Sequence, residues 1–272
     1  MNLTNEYKDS VKTFLREITG EKNVYIMRRG NSAILYALRS AKNFGKKTVI
    51  IPDQAGWITY EQFPERVHLE TIRLKTKDGM VDPKELDSVL SDNPDCAVIL
   101  NSLAGYFVEL PMQEIYSVCK KHDAILINDV AGSIGTKIAK SEFCDIMVGS
   151  FGRWKPVNMG EGGFIGFNDE KYLYQKIEEF ELNYNLLFDK LRNLGERQEF
   201  LRSKAAEIKK ELKGFDVIFP EKEGINIIVR FKNSVERKKI IGFCEARKLP
   251  YTQCPRYIRV LDDAISIEVK RL

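Results

Sequence analysis

The stretch from Ile125 to Phe167, ILINDVAGSIGTKIAKSEFCDIMVGSFGRWKPVNMGEGGFIGF, limits the architectures open to this chain more than any other. An apolar run, Ala124 to Ile127, stops at Asn128 and Asp129. A second, Ile146 to Val148, stops at Gly149-Ser150, and Lys155 follows shortly after. Then comes a glycine-rich turn, Gly160-Glu161-Gly162-Gly163, and a last short run, Phe164 to Phe167. Apolar runs this short, bounded by polar residues, read as buried strands. In a parallel sheet the strand ends gather the ligand site, so an acid and a lysine are delivered to one edge among small residues.

That pair suits a particular chemistry. A pyridine-aldehyde cofactor needs a lysine amine for a Schiff base and a carboxylate that keeps the ring nitrogen protonated, so that the ring accepts electrons. A carboxylate about 4 Å from a pyridinium contributes about 4 kcal/mol at an effective dielectric near 20. Taken singly, a lysine among 43 Lys and Arg is usually a solvated surface group, and a strand-end aspartate is often a helix cap. It is the joint order and setting that carry the chemistry.

Upstream, the chain alternates strands and helices. Residues 4–18 fit an amphipathic helix, with Val11, Phe14, Leu15 and Ile18 at helical spacing and Thr4 as its N-cap. Val24 to Met27 is a strand, Arg28-Arg29-Gly30-Asn31-Ser32 a turn, and Ala33 to Asn43 a helix. A strand, a glycine, small polar residues and a helix start make an anion site, although Asn and Ser are also ordinary N-caps. Further strands are expected over Thr48–Ile51, Val67–Leu74 (with His68 as a structural residue) and Cys96–Leu100. Helices are expected from Asp82-Pro83 to Leu90 and over Met112–Lys121, where His122 faces the C-terminal dipole. The fold class implied is α/β: a three-layer α/β/α arrangement around a mostly parallel sheet. Residues 169–213 read as helix bent near Asn193-Leu194-Gly195. Strands over Asp216–Phe219, Ile225–Phe231, Tyr257–Leu261 and Ala264–Val269, with a helix over Val235–Arg247, then form a small α+β part. The expected domains are 1–168 and 169–272.

Several function classes are disfavoured. The net charge of +4 forms no basic stripe, so nucleic acid is not indicated. Five cysteines make no CxxC pair and the two histidines lie far apart, so no metal site is expected. An odd cysteine count, with several inside apolar runs, suits reduced thiols in a cytoplasm. The N-terminus does not look like a signal peptide, and no apolar run approaches the roughly 20 residues needed to span a bilayer. No GxGxxG follows the first strand, which argues against a nucleotide-binding dehydrogenase.

The residues also carry a resemblance. Asp129-x-Ala131, Ser150-Phe151-x-x-x-Lys155 and Gly-Glu-Gly-Gly resemble the pyridoxal-phosphate enzymes of fold type I, and most closely the DegT/DnrJ/EryC1 sugar aminotransferases. The likeness runs from about Gly30 to Phe167, and Gly30-Asn31-Ser32-Ala33 resembles that group's phosphate-cradling Gly-Thr-Ala-Ala. The resemblance implies that Lys155 is the Schiff-base lysine and then the base that moves a proton between the amino acid's α-carbon and the cofactor. It implies that Asp129 pairs with the pyridine nitrogen, that Gly30, Asn31 and Ser32 hold the phosphate, that Ser150 is either a further phosphate ligand or a hydroxyl that positions the lysine, and that Ala131 and Trp57 border the ring. For Trp57, core packing is the alternative. Arg153 either binds a substrate carboxylate or phosphate or is a solvated or subunit-interface arginine.

Two departures bear on substrate. Where the group has a histidine after its strand, this chain has Asn101 or Ser102; where it has a glutamine approaching the ring hydroxyl, this chain has Gly132, with Ser133 or Asn101 as replacements. The implied activity is transfer of an amino group to a keto acceptor, a nucleotide-linked keto sugar among the options. A lyase of the same cofactor class and a non-catalytic partner subunit are the alternatives. The group works as homodimers with sites at the interface; its second part is longer, and Asn183 and Asn185 are the candidates for a cross-subunit contact.

Overall fold

Helices cover both faces of the central sheet, so its middle strands are apolar on both sides. The computed structural model describes residues 3–272, with side chains from Glu6 onward; Thr4, the expected cap, lies outside the described side chains. In chain order, helix α1 (Leu3–Thr19) leads to strand β1 (Asn23–Met27), helix α2 (Gly30–Asn43), β2 (Thr48–Pro52), the short α3 (Thr59–Gln62) and β3 (Glu70–Leu74). Then come α4 (Pro83–Asp92), β4 (Cys96–Asn101), a hairpin of β5 (Leu103–Ala104) and β6 (Val108–Glu109), and α5 (Met112–Lys121). Strands β7 (Ile125–Asp129), β8 (Ile146–Ser150) and β9 (Gly163–Phe167) precede α6 (Tyr184–Arg192) and α7 (Leu194–Glu211). The chain ends with β10 (Asp216–Val217), β11 (Ile227–Arg230), α8 (Ser234–Ala246), β12 (Tyr251–Gln253) and β13 (Ala264–Ile267).

The seven-stranded sheet has the order β1-β9-β8-β7-β4-β2-β3. Strands β3, β2, β4, β7 and β8 run parallel, and β9 is antiparallel to both its neighbours, β8 and β1. Side chains alternate between two cores, as a two-residue period demands. Ala97, Ile99, Ile125, Ile127, Ile146 and Val148 pack with α2. Val98, Leu100, Leu126 and Met147 pack with α1 and with α4 to α7. Asp82 caps α4, accepting from the Lys84 N–H with Pro83 at the first position. A second, antiparallel sheet, β10-β11-β13-β12, carries the C-terminal part.

The structure departs from the sequence reading in several places; the strand expected from Val67 starts only at Glu70, because Glu65–Val67 forms a short 3-10 turn that His68 ends at φ +55°. Residues 173–183 are not helical. The segment leaves Tyr36 of α2 and meets the outer strand, β1, at residues 179–180, where Phe180 N–H donates to the Ile26 carbonyl at 3.0 Å and Ile26 N–H donates to Glu179 Oε1 at 3.1 Å. Satisfying an otherwise bare sheet edge outweighs the helical composition of that segment. Residues 257–261 form a turn rather than a strand, and the edge strand is Tyr251–Gln253. Asn183 caps α6, accepting from Leu186 N–H at 3.0 Å, which gives that side chain a local partner.

Glycine is required where β9 meets β8 and the turn after β1. A Cβ on Gly163 would lie 2.6 Å from the Gly149 carbonyl oxygen and 2.7 Å from the Gly30 nitrogen, both backbone atoms that cannot swing aside. Gly163→Ala should therefore lower stability by about 1–3 kcal/mol, read from the urea midpoint. Gly195→Ala, in α7 with nothing within 4 Å of the added methyl, should be neutral or stabilising.

Candidate active site

Parallel strands point their C-terminal ends the same way, and β9, entering from that edge, starts there. Five segments therefore meet: the turn after β1, the ends of β7 and β8, the loop 151–162, and the stretch before α3. They enclose a cavity of about 410 Å³ lined by Gly30, Asn31, Trp57, Asp129, Ala131, Ser150, Arg153 and Lys155, among others. Of the residues singled out from sequence, Ser32 and Asn101 are not part of this lining. Ser32 lies in the first turn of α2 with its N–H on the Arg29 carbonyl, and Asn101 Oδ1 accepts from the Leu103 N–H at 3.1 Å.

Asp129 is 5% exposed. Its Oδ1 accepts the Ala131 N–H at 2.9 Å and its Oδ2 the Tyr60 hydroxyl at 2.7 Å. Burial pushes its pKa above the ordinary aspartate value, while the Lys155 charge and these two hydrogen bonds pull the other way. Burial wins, so this carboxyl gains from any further cation brought against it. Tyr60 was not singled out from sequence; its partner is far along the chain and only the fold joins them.

The N-terminus of α2 has no side-chain cap; Ser32 and Ala33 N–H groups turn back to the Arg29 carbonyl. Asn31 spends its side-chain oxygen on the Trp57 indole N–H, at 2.8 Å, which fixes the ring against the cavity. Ser150 sits directly under Gly30, where an added Cβ would come within 2.6 Å of Ser150 Cβ. Arg29, Arg153 and Glu161 are exposed lining residues at the rim. Lys155 is half-buried, its amine 5.1 Å from the centre of the Trp57 ring, and donates to the Tyr106 hydroxyl.

Tyr106, which the sequence reading did not single out, follows shortly after the Asn101-Ser102 pair. Neither replacement expected for the absent glutamine faces the cavity. Ser133 is fully buried with its Oγ 2.7 Å from Ser102 Oγ, and Asn101 is engaged by its own turn. The space beside Gly132 holds the Tyr106 ring, which an added Cβ would meet at 2.7 Å. Trp154 is 42% exposed under the Arg271 guanidinium at 4.4 Å.

Behind Tyr106 lies a buried charge cluster from the C-terminal part. Arg259 grips Glu268 with two bonds of 2.8 Å, Lys270 approaches the same carboxylate at 3.3 Å, and Ser266 Oγ donates at 2.9 Å. Burial depresses the Lys270 pKa to about 7 against the pull of Glu268, with Arg259, Lys155 and Arg271 adding to the depression. Among the described residues no cluster of three or more His, Cys, Asp or Glu suits a metal ion, and no helix is long and apolar enough to cross a membrane.

A serine palmitoyltransferase from S. paucimobilis, solved with pyridoxal phosphate and myriocin, superposes with a TM-score of 0.71 at 18% identity, covering 96% of this chain and 71% of that one. A DegT DnrJ EryC1 StrS aminotransferase from Brucella abortus gives 0.75 at 15% identity, covering 96% and 84%. Helicobacter pylori PseC, an aminotransferase, gives 0.75 at 18% identity, covering 96% and 85%. At such identities the likeness is one of fold, that of the pyridoxal-phosphate enzymes of type I. The family follows from sequence: the DegT/DnrJ/EryC1/StrS aminotransferase family model matches residues 3–214. The chain belongs to that family and so to the pyridoxal-phosphate-dependent aminotransferases. A second model, the MJ1341 family C-terminal domain, matches residues 198–272. No curated protein sequence matches the chain.

The buried cluster has a consequence in acid. Although burial pushes Glu268 up, Arg259 first and then Lys270 and Arg271 outweigh it, leaving its pKa at about 2 instead of 4.5. A depressed carboxylate contributes stability that is complete above its unfolded pKa and is lost as pH falls through the folded one. Stability should therefore drop by on the order of 3 kcal/mol between pH 4.5 and 2, read from urea midpoints. Glu268→Gln should be less stable by about 3–5 kcal/mol at pH 7, because Arg259 is left buried and unpaired, and should show a flatter acid limb.

Proposed function

We propose that this chain moves an amino group from an amino-acid donor to a keto acceptor, with Lys155 and Asp129 as its catalytic pair. The observation that carries the reading is the one cavity lined together by Asp129, Lys155 and the uncapped first turn of α2. The donor set fits pyridoxal phosphate. A phosphate dianion matches the helix start at Gly30 and Asn31, the Ser150 hydroxyl beneath it, and the nearby guanidinium of Arg29. Ser32 would serve through its place in that first turn. A pyridinium nitrogen matches Asp129, whose burial leaves its charge under-compensated. Trp57 and Ala131 would border a flat ring between them.

When bound, the cofactor supplies an aldehyde for an amine and a protonated ring that draws off electrons from the donor's α-carbon. Asp129 keeps the proton on the ring nitrogen. Lys155 Nζ holds the cofactor at rest and, once displaced by the donor, takes the proton from the α-carbon as general base. Trp57 excludes water from one side of the site. Arg153, exposed at the rim, meets an anionic group of the substrate, whereas Asn101 has its oxygen committed to a backbone turn and contributes through the shape of that turn.

For the acceptor we favour a nucleotide-linked keto sugar. Family membership supports this, as does the neighbour from Helicobacter pylori, an aminotransferase involved in the biosynthesis of pseudoaminic acid. The working unit on this reading is a cytoplasmic homodimer, with residues 1–168 binding the cofactor and 169–272 forming the second part; the separate family match from residue 198 supports such a division.

Purified protein mixed with pyridoxal phosphate should turn yellow, and borohydride should fix the cofactor to the peptide containing Lys155. Lys155→Ala should give neither result, and Asp129→Asn should bind cofactor but lose amino transfer from glutamate by at least about 100-fold, the scale of a pre-organised electrostatic group. A parent protein that takes up no cofactor sinks the proposal.

A further inference from the structure

Lys155 does not stand free in its cavity. Its amine donates to the hydroxyl of Tyr106, a residue 4% exposed and outside the cavity lining. Tyr106 has a φ of +70°, in the left-handed region that a side-chain-bearing residue rarely adopts. The surroundings enforce it. Its N–H donates to the Leu103 carbonyl at 2.9 Å, and its carbonyl accepts the N–H groups of Ile225 and Asn226 at 2.8 and 2.9 Å. Gly132 gives the ring room, since a Cβ there would come within 2.7 Å of it. Arg259 and Lys270 set their cations 5.2 and 4.9 Å from the ring centre, and Lys155 sits 4.7 Å from it. A strained backbone, a glycine and two buried cations thus converge on placing one phenolic oxygen at one amine.

We propose that Tyr106 is the positioning residue of this site: its hydroxyl holds the Lys155 amine in place and, with pyridoxal phosphate bound, meets the ring hydroxyl of the cofactor. The second half follows from the cofactor's chemistry. Its hydroxyl stands on the carbon next to the one bearing the aldehyde, so a group bonded to the lysine nitrogen is also within reach of that oxygen. The inference rests on the role of Lys155 proposed above. Other charged groups face the same place: Asp129 from β7 with Tyr60 behind it, Arg153 and Glu161 from the loop 151–162, and Arg259, Glu268, Lys270 and Arg271 from the C-terminal part. All contribute to any pH profile, so the part due to Tyr106 has to be isolated by removing its oxygen alone.

The test has two parts. Without cofactor, Gly132→Ala should lower the melting temperature by several degrees in the parent but by far less in a Tyr106→Ala background, because the clash is with that ring. Equal losses in the two backgrounds overturn the placement. With cofactor, the parent and Tyr106→Phe are titrated by visible absorption. Donation from the phenol to the ring oxygen favours the unprotonated chromophore, so its loss should raise the midpoint of the colour change by about one pH unit and weaken cofactor binding several-fold. Phe keeps the ring and its packing, which a merely structural role would leave without spectral effect. A yellow parent with an unchanged Phe variant overturns this inference alone; a colourless parent overturns it together with the role of Lys155.

Discussion

Everything in the site hangs on the register of β7. Asp129 lies opposite Asn101 of β4 and Val148 of β8, which sets its carboxyl at the open edge while its backbone is held from both sides. The single reversed strand, β9, then returns to that edge and puts Gly163 opposite both Ser150 and Met27. This pairing draws the turn after β1 over the end of β8, so that Gly30 comes to rest on Ser150. A shift by one residue would turn Asp129 to the other face of the sheet. The fully buried side chains of β4 and β7 on both faces make such a shift costly, and the precision of the site is in this sense a by-product of core packing.

Electrostatics complete what register begins. Asp129 is buried with hydrogen bonds from neutral donors only, Ala131 and Tyr60; the full positive charge that acts on it is that of Lys155. Glu268 shows the opposite arrangement, a carboxylate with no exposure surrounded by Arg259, Lys270 and Arg271 and driven strongly acidic. One buried acid is left wanting a cation and the other is saturated with them. Low-dielectric surroundings make both conditions consequential. The first is an opening for a ligand, and the second is a brace.

Much of this was legible in the sequence because it depends on local pattern. Buried strands that end in Asp129 and Ser150, a glycine before a helix, and Lys155 between them are short-range features, and sheet topology converts them into proximity. What escaped reading depends on partners remote in sequence. Tyr106 points at Lys155 because its backbone is held left-handed by Ile225 and Asn226. Arg259 reaches inward because residues 257–261 turn instead of extending, closed by the Arg256 N–H on the Val260 carbonyl. The segment 173–183 has the composition of a helix but meets an unsatisfied strand edge. Gly132 read as a deletion of a side chain, whereas the structure fills its place from another loop.

Tyr106 is also where the two parts of the chain are joined. Its carbonyl binds the start of the segment that becomes β11, its ring touches cations that flank the end of β13, and its hydroxyl touches Lys155. Farther around the site, the Tyr257 carbonyl accepts the Ala55 N–H at 2.7 Å and Gln54 Oε1 accepts the Leu261 N–H at 2.9 Å, so the C-terminal turn also steadies the loop that presents Trp57. The C-terminal sheet therefore cannot move against the central one without disturbing two walls of the cavity. Residues that the sequence pattern assigns to separate units are thus mechanically one at the site. Their coupling runs through hydrogen bonds to backbone at Ile225, Asn226 and Ala55 and through the side chains of Tyr106 and Gln54, so both kinds of contact hold the walls of the cavity around Lys155.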